Sequence, residues 1–351
     1  MISAMRTTIA VELSGEHSFE AFLDELVHAL GRSGLTVEPR AGGRVMQGAT
    51  QVGTVVRWET TGVSLEWQSA DWAPDDDRTE LEIRQERGGI RVEHRGFGEQ
   101  FWDPGEIVGW FADEVAAPLL LATAPARYGD WLTDRVARRP FGIRARRDYK
   151  DPTHHRPSFG AVLSALNLQS DDVLLELGAG GGAFIEQALR SGCRAVGLDH
   201  SQEMVRAASE LNEQAIDEGR LEVVLGDAHD LPFGDETFTA VAAMQVFFFF
   251  ADAHRVLAEC RRVLKPSGRL AVFTVSAEAK GTPAAPEPMA SRGHFHTDEE
   301  LVEMAREAGF RLASVEHPAL EPHARAAGLP DDVVALFSDT SSIDQLLLAR
   351  R

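Results

Sequence analysis

Cysteine and long apolar runs are scarce in this sequence. Two cysteines, Cys193 and Cys260, occur among 351 residues, which excludes a disulfide framework and a cysteine-based zinc cluster. No apolar run is long enough for a transmembrane helix, and no charged and then apolar leader follows Met1. These absences predict a cytoplasmic protein without a membrane partner.

Positive charge is also in short supply. The chain has 35 basic and 55 acidic side chains, and its formal net charge is -20. Such a charge opposes nonspecific attraction to a phosphate backbone, so we expect no nucleic-acid partner. With 351 residues, 44% of them hydrophobic, the chain is long and apolar enough to bury two cores. The sequence therefore predicts two domains.

Glycine, in contrast, is concentrated directly after an apolar segment. Residues 173–177 predict a strand that contains Glu176, and residues 178–182, the glycine turn, read GAGGG. Glycine accepts positive φ without a steric penalty and lets the backbone approach a ligand closely. The segment GAGGGA matches the G-x-G-x-x-G/A pattern, so it indicates a nucleoside cofactor and leaves NAD open.

Two further predicted strands lead to polar residues. The strand at 194–199 ends in Asp199, and an acid in this place can accept the ribose hydroxyls of any adenosine cofactor. A third strand, residues 221–225, is followed by GDAHDLPF at residues 226–233. Asp199 and Asp227 could each instead cap a strand end, and Met204 could belong to a helix core.

Five segments of residues 150–350 resemble, in family order, the motifs of class I S-adenosylmethionine (SAM) dependent methyltransferases of the ubiquinone and menaquinone type. They read ELGAGGG, GLDHSQEM, GDAHDLPF, DETFTAVAAMQVFFFF and ECRRVLKPSGRLAVF. The resemblance implies a doubly wound, Rossmann-like α/β domain with a seven-stranded sheet and an antiparallel last strand at 343–348, beside a strand at 311–316. It also implies that residues 320–342 are an insertion with a short helix at 331–337. The family usually has glycine at residue 267, and Ser267 should alter only a surface turn.

The resemblance implies SAM as the cofactor and assigns residues to its parts. Glu176 and the glycine turn would hold the methionine part, Asp199 the ribose and Asp227 the adenine amino group. Met204 would contact one face of adenine, and the main chain of Gln245 would meet the methionyl amine. The implied cofactor-binding residues are Glu176, Gly178, Ala179, Gly180, Asp199, His200, Met204, Asp227, Ala228 and Gln245.

Methyl transfer from a sulfonium is an in-line displacement, so correct placement of the acceptor can supply on the order of 7–11 kcal/mol and a general base is optional. A histidine would be the natural base for a hydroxyl acceptor, because its unperturbed pKa is about 6.5. We expect at most one such base and no metal ion. The candidates, each of which could instead be a surface or structural residue, are His154, His155, His294 and His296.

Residues 6–138 show a different order of patterns. A strand at 6–13 precedes an amphipathic helix at 19–30, four alternating strands between residues 53 and 96, and helical segments from 103 to 136 interrupted near residue 124. This order, with the segments EPRAGGRV, GTVVRWE and VEHRGFG, resembles the START-like helix-grip (SRPBCC) α+β fold. The resemblance implies a groove or cavity for an apolar ligand. The six tryptophans could line that cavity or fill the core, and they are Trp58, Trp67, Trp72, Trp102, Trp110 and Trp131.

Residues 139–157 are predicted to be a basic linker and arm, and residues 158–351 the methyltransferase domain. The basic stretch at 135–147 suits a solvated connector and leaves recruitment of an acidic substrate open. In the arm, Tyr149, His154, His155 and Phe159 are candidates for a lid. The run of phenylalanines at 247–250 is predicted to pack in the core more readily than to line a pocket.

The function favoured by these patterns is SAM-dependent methyl transfer to a small, apolar or aromatic metabolite. The N-terminal domain would then serve substrate binding or dimerisation, and a homodimer is possible. The chain lacks the Asn/Asp-Pro-Pro-aromatic segment of nucleic-acid aminomethyltransferases and the Pro-Cys pair of cytosine methylation. Two alternatives stay open: a non-catalytic SAM-binding protein that senses a ligand, and an NAD-dependent oxidoreductase.

Overall fold

The computed structural model describes residues 7–11, 18–32, 34–67, 79–86, 89–95, 109, 111–123, 125–140, 142, 145, 149, 152–338 and 343–351. The chain divides into two compact units. The first comprises residues 1–132 with 141–144, and the second comprises residues 133–140 with 145–351. Each unit contains one seven-stranded sheet.

The sheet of the first unit is antiparallel, and its strand order is β1-β7-β6-β5-β4-β3-β2. The first strand of the chain therefore pairs with the last strand of this sheet. The strands are Thr7–Val11 (β1), Leu35–Val37 (β2), Arg44–Gln47 (β3), Thr50–Glu59 (β4), Gly62–Trp67 (β5), Thr79–Glu86 (β6) and Gly89–Arg95 (β7).

Helices pack on this sheet and close its core. They are Ser18–Arg32 (α1), a π-helical segment Phe111–Ala116, Ala117–Thr123 (α2) and Pro125–Thr133 (α3). On α1, Phe22, Leu26 and Leu30 recur at helical spacing and are fully buried against strand residues such as Leu65 and Ile83. Pro125 begins α3, where proline suits the first turn of a helix. The interruption predicted near residue 124 lies outside the described residues.

The tryptophans of the first unit were predicted either to fill the core or to line a ligand cavity. Trp58, Trp67 and Trp131 are half-buried and pack against the hydrophobic core of the unit, which agrees with the core-filling alternative. Trp72, Trp102 and Trp110 lie outside the described residues.

The sheet of the second unit is mixed, as predicted. Its strand order is β10-β9-β8-β11-β12-β14-β13, and β14 runs antiparallel to both of its neighbours. The order reverses between β8 and β11, the place where ligands bind in open α/β sheets. The strands are Val173–Leu177 (β8), Arg194–Asp199 (β9), Leu221–Leu225 (β10), Phe238–Met244 (β11), Leu264–Val275 (β12), Arg311–Glu316 (β13) and Asp344–Arg350 (β14).

Side chains of the central strands alternate between two cores, one on each face of the sheet. On β11, Val241 and Ala243 belong to one core, whereas Ala242 and Met244 belong to the other. Both faces are covered by helices, which explains why these strands are almost continuously apolar in sequence. The helices are Arg156–Leu166 (α4), Ala183–Ala188 (α5), Gln202–Leu211 (α6), Glu213–Asp217 (α7), Ala253–Val263 (α8), Asp298–Glu307 (α9), Glu321–Ala326 (α10) and Asp331–Val334 (α11).

Two local details of the second unit follow from single residues. Helix α4 begins at Arg156, because Pro157 is accommodated in its first turn. Ser267 has a φ of 64° on the surface, so it adopts the left-handed conformation that the usual glycine would reach without strain. The short helix predicted in the insertion is present as α11 and the following 3-10 turn Ala335–Phe337.

A search of the described residues finds no helix with the length and apolar character that a membrane span requires.

Candidate active site

A cavity of about 620 Å³ lies in the second unit, at the carboxyl ends of β8, β9 and β11. The carboxyl ends of parallel strands meet at one edge of the sheet, so residues distant in sequence converge there. The lining includes all ten residues that the family resemblance implies for the cofactor, namely Glu176, Gly178, Ala179, Gly180, Asp199, His200, Met204, Asp227, Ala228 and Gln245.

The glycine turn leaves β8 through tight backbone contacts with β9. The amides of Gly178 and Ala179 both donate to the carbonyl of Leu198, at 2.8 and 3.0 Å. Gly178 has a φ of 67°, and a Cβ on it would overlap the side chain of Val246. Only glycine meets both demands at this position.

Glu176 is a buried carboxyl group at the end of β8. It is 2% exposed, and its oxygen Oε2 has no hydrogen-bond partner. Burial raises the pKa of Glu176 well above its usual range, and the negative charge of Asp199 raises it further. A buried carboxyl group with an unused oxygen requires a donor or a proton, and a ligand in the cavity could supply the donor.

Asp199 holds the glycine turn and the start of α6 together. Its Oδ2 accepts a hydrogen bond from the amide of Gly180 at 2.9 Å, and its Oδ1 accepts one from the amide of Ser201 at 2.8 Å. Burial raises the pKa of Asp199, although these two hydrogen bonds oppose the shift. Each carboxylate oxygen retains acceptor capacity, so the group can also receive hydroxyl donors from the cavity.

The residues after Asp199 bind the segment that enters the second unit. His200 Nε2 is hydrogen-bonded to the carbonyl of Arg138, and Ser201 Oγ donates to the carbonyl of Pro140. As a result Arg138, Arg139 and Pro140 line the cavity. Sequence reasoning assigned these residues to a linker, and it gave no signal for this role because the contacts involve main-chain carbonyl groups.

The arm also crosses the glycine turn. A Cβ on Gly181 would overlap the carbonyl oxygen of Tyr149, and a Cβ on Gly180 would contact the ring of the same tyrosine. Tyr149 lines the cavity together with Phe159. Both were candidates for a lid.

Asp227 and His229 form a pair in the loop after β10. The amide and the Nδ1 atom of His229 both bond to Asp227 Oδ1, at 2.9 and 2.7 Å. The backbone hydrogen bond is the larger cause of a lowered pKa at Asp227, despite some burial, and the side-chain bond adds to it. Asp227 is therefore an anionic acceptor at the cavity.

A further part of the lining is apolar. Gln245, with a φ of 57°, directly follows β11, and the chain then turns through the phenylalanine run. Phe247 and Phe248 are buried and belong to hydrophobic cores, as the packing interpretation predicts. Phe248, Phe249 and Phe250 also line the cavity, so the run takes part in both. The residues of this apolar wall are Phe248, Phe249, Phe250, Pro283, Ala284, Pro286 and Met289.

The four histidine candidates occupy different places. His155 lines the cavity and is itself exposed to solvent; local desolvation lowers its pKa, and the neighbouring His154 adds to this effect. His154 and His294 are also exposed, but they are absent from the lining. His296 lies behind the wall, with its ring 5.9 Å from that of Phe247. The second half of the wall, at residues 283–289, was not foreseen, since no motif marks it.

Taken together, these groups fit an adenosyl cofactor with a charged amino acid part. Two carboxylates and an unpaired buried carboxyl oxygen offer acceptors for hydroxyl and amino donors, and the glycine turn allows close approach. Among the described residues, no group of three or more His, Cys, Asp or Glu side chains is placed to hold a metal ion. The second unit thus has a Rossmann-like fold with a cavity whose polar residues fit a nucleoside cofactor and lie beside the apolar wall.

Comparison with known proteins narrows this class. Residues 175–272 match the family model described as "Methyltransferase domain". The chain is 38% identical over 116 residues to a demethylmenaquinone methyltransferase of Thermobifida fusca, covering 33% of the chain and 49% of that protein. It is 34% identical over 113 residues to the erythromycin 3''-O-methyltransferase of Saccharopolyspora erythraea, covering 32% of the chain and 37% of that protein.

A solved SAM-dependent methyltransferase from Aquifex aeolicus is 18% identical, with a TM-score of 0.45 over 58% of this chain and 96% of that chain. Within the second unit, residues 175–272 match a methyltransferase domain, and SAM is the cofactor that this family match supports. The chain spans half or less of the length of the two curated relatives described above.

Proposed function

We propose that this protein transfers the methyl group of SAM to a small, apolar or aromatic metabolite. The observation that carries the proposal is the cavity of the second unit, which joins the ten implied cofactor residues to the apolar wall. The names of two relatives, a demethylmenaquinone methyltransferase and an erythromycin 3''-O-methyltransferase, support a small-molecule acceptor.

The polar half of the cavity would hold the cofactor. Glu176 Oε2 lacks a partner and lies beside the glycine turn, so it would accept from the amino group of the methionine part. Asp199 would accept from the ribose hydroxyls, and Asp227 from the adenine amino group. The sulfonium supplies an activated methyl group when the cofactor is bound.

The apolar half would hold the acceptor. Within the described lining, the contributions of residues 244–250 and 283–289 include no ionisable side chain. Burying a charged acceptor there would leave its charge uncompensated, whereas a flat apolar molecule would gain by burial against aromatic rings. His155 is the candidate base that lines the same cavity, and its lowered pKa keeps the imidazole able to accept a proton at neutral pH.

For the first unit we propose the START-like helix-grip fold. Support comes from a strand followed by a helix, an antiparallel sheet in which the first strand pairs with the last, and helices after the sheet. In this proposal the unit, with boundaries near residues 6 and 138, serves substrate binding or dimerisation.

Calorimetry with SAM, S-adenosylhomocysteine (SAH) and NAD would test the cofactor assignment. We expect SAM and SAH to bind and NAD not to bind. Asp227→Ala should weaken SAH binding by about 1.5–3 kcal/mol, the cost of a hydrogen bond to a charged group. Asp171→Ala is the matched control, since this exposed acid lies before the amino end of β8.

Two results would contradict the proposal. One is binding of NAD in place of SAH by the wild-type protein. The other is unchanged SAH affinity in Asp227→Ala. For the transfer step, SAM turnover should be measured with neutral naphthols and with naphthoates of the same size. Preference for naphthoates would contradict the apolar acceptor site.

A further inference from the structure

We propose that His229 is a positioning residue that fixes the carboxylate of Asp227 so that its free oxygen faces the adenine amino group. The inference rests on the proposed function, because it concerns the same cofactor site. It concerns a residue outside the ten that the family resemblance implies for the cofactor.

The first step of the argument is that Asp227 needs a support. Its side chain is 66% exposed, and an exposed aspartate is free to rotate. Two donors from one residue, the amide and Nδ1 of His229, bind the single oxygen Oδ1 at 2.9 and 2.7 Å. This arrangement fixes the plane of the carboxylate and leaves Oδ2, which has no hydrogen bond in the described part of the chain, for a ligand.

The second step is that His229 is itself held. Its Nε2 accepts a long hydrogen bond from the amide of Asp252 at 3.4 Å, which requires the neutral ring with the proton on Nδ1. The ring meets the edge of Phe250 at 5.7 Å between centroids. The side chain of Arg255 donates to the carbonyl of His229 at 2.6 Å. The loop after β10 is thereby tied to the start of α8 and to the apolar wall.

The third step excludes a role as a general base. Nδ1 already donates to Asp227, and Nε2 faces the amide of Asp252. Neither nitrogen is therefore available to take a proton from an acceptor molecule. The effect of His229 must pass through the groups that it orients.

Asparagine and glutamine substitutions at residue 229 test the Nδ1 contact with Asp227 apart from the Nε2 contact with Asp252. In His229→Asn the amide nitrogen lies at the same distance along the side chain as Nδ1, so the donor to Asp227 is kept. In His229→Gln the amide lies one bond farther out, near the place of Nε2, so that donor is lost. We expect SAH to bind His229→Gln about tenfold more weakly, equivalent to about 1.4 kcal/mol. His229→Asn should stay close to the wild-type affinity.

A double-mutant cycle distinguishes positioning from a general structural role. If His229 acts through Asp227, the Gln substitution should weaken SAH binding by less than about twofold when Asp227 is already alanine, since independent effects would instead add within about 0.3–0.5 kcal/mol. Equal losses in both backgrounds would overturn the inference, as would wild-type affinity of His229→Gln. Failure of the wild-type protein to bind SAH is a different result and would contradict the proposed function itself. Thermal melting without SAH checks that each variant is folded.

Discussion

At the scale of single residues, the two buried carboxyl groups of the cavity, Glu176 and Asp199, differ in their hydrogen bonds. The oxygens of Asp199 accept hydrogen bonds from the amides of Gly180 and Ser201, so its substitution would disturb the glycine turn as well as ligand binding. Glu176 has an oxygen without a partner. Glu176 is therefore the group whose protonation depends most directly on whether a ligand is bound.

This difference leads to a prediction for Glu176→Gln. Because the folded protein raises the pKa of Glu176, the stability from its bound proton is complete below the ordinary pKa of about 4.3 and is lost as pH rises through the raised value. The cofactor-free variant lacks this loss, so its Tm should exceed that of the wild type increasingly as pH rises. A gain of about 1 kcal/mol corresponds to about 2–4 °C in a unit of this size.

Thermal melts from pH 5 to pH 8 measure the effect, and Glu222→Gln, on the exposed surface of β10, is the control. The same Glu176 variant should bind SAH more weakly. A Tm difference that does not change with pH would contradict the assignment of the titrating group.

His155 gives a second prediction at this scale. Once an acceptor with a hydroxyl group is found, His155→Asn should lower kcat by about 10²- to 10⁴-fold if it is the base. Its lowered pKa means that the neutral, reactive form persists below pH 6.5, and the rate should fall as pH drops through the lowered value.

The matched control is His154→Asn, which removes the exposed neighbour outside the cavity. Equal and small effects of both variants would favour catalysis by placement alone. In either case the affinity for SAH should be nearly unchanged.

At the scale of elements, the arm that includes Tyr149 meets the glycine turn backbone to backbone. Gly181 does not need glycine for its φ value, but it has no room for a Cβ because the carbonyl of Tyr149 fills the space. The absence of a side chain at residue 181 is therefore a condition for the arm to lie across the cavity.

We predict that Gly181→Ala displaces the arm and weakens SAH binding, with little effect on the sheet. Gly234→Ala is the control in the same unit, since its Cβ would make only an ordinary contact with Thr237 at 3.7 Å. Calorimetry gives the affinity, and limited proteolysis after Tyr149 reports exposure of the arm. An unchanged cleavage rate with unchanged affinity would contradict this role of the contact.

At the scale of the whole molecule, two compact units in one chain predict two unfolding transitions. Differential scanning calorimetry of the full chain should resolve the two transitions, and saturating SAH should raise the midpoint temperature of only one of them. At about 100 times Kd the ligand adds about 2.7 kcal/mol to the unit that binds it. A single transition that shifts as a whole would contradict independent units, and so would two transitions that shift together.

Local sequence patterns predicted the first strands of the second unit, the glycine turn after β8 and the acids at strand ends, because each of these signals lies within one short segment. The mixed sheet with its antiparallel last strand was implied by the family resemblance that rests on five such segments in order. The same resemblance named the ten residues that line the cavity. The START-like fold of the first unit and the domain boundaries stay predictions.

Only the tertiary structure decided what reaches the cavity from outside these motifs. The carbonyls of Arg138 and Pro140, the wall at residues 283–289 and the choice of His155 among four histidines depend on contacts between distant segments. A sequence pattern reports which residues share a face of one element. It does not report which loop lies over the end of a sheet, because that is set by packing and by backbone hydrogen bonds that carry no side-chain signature.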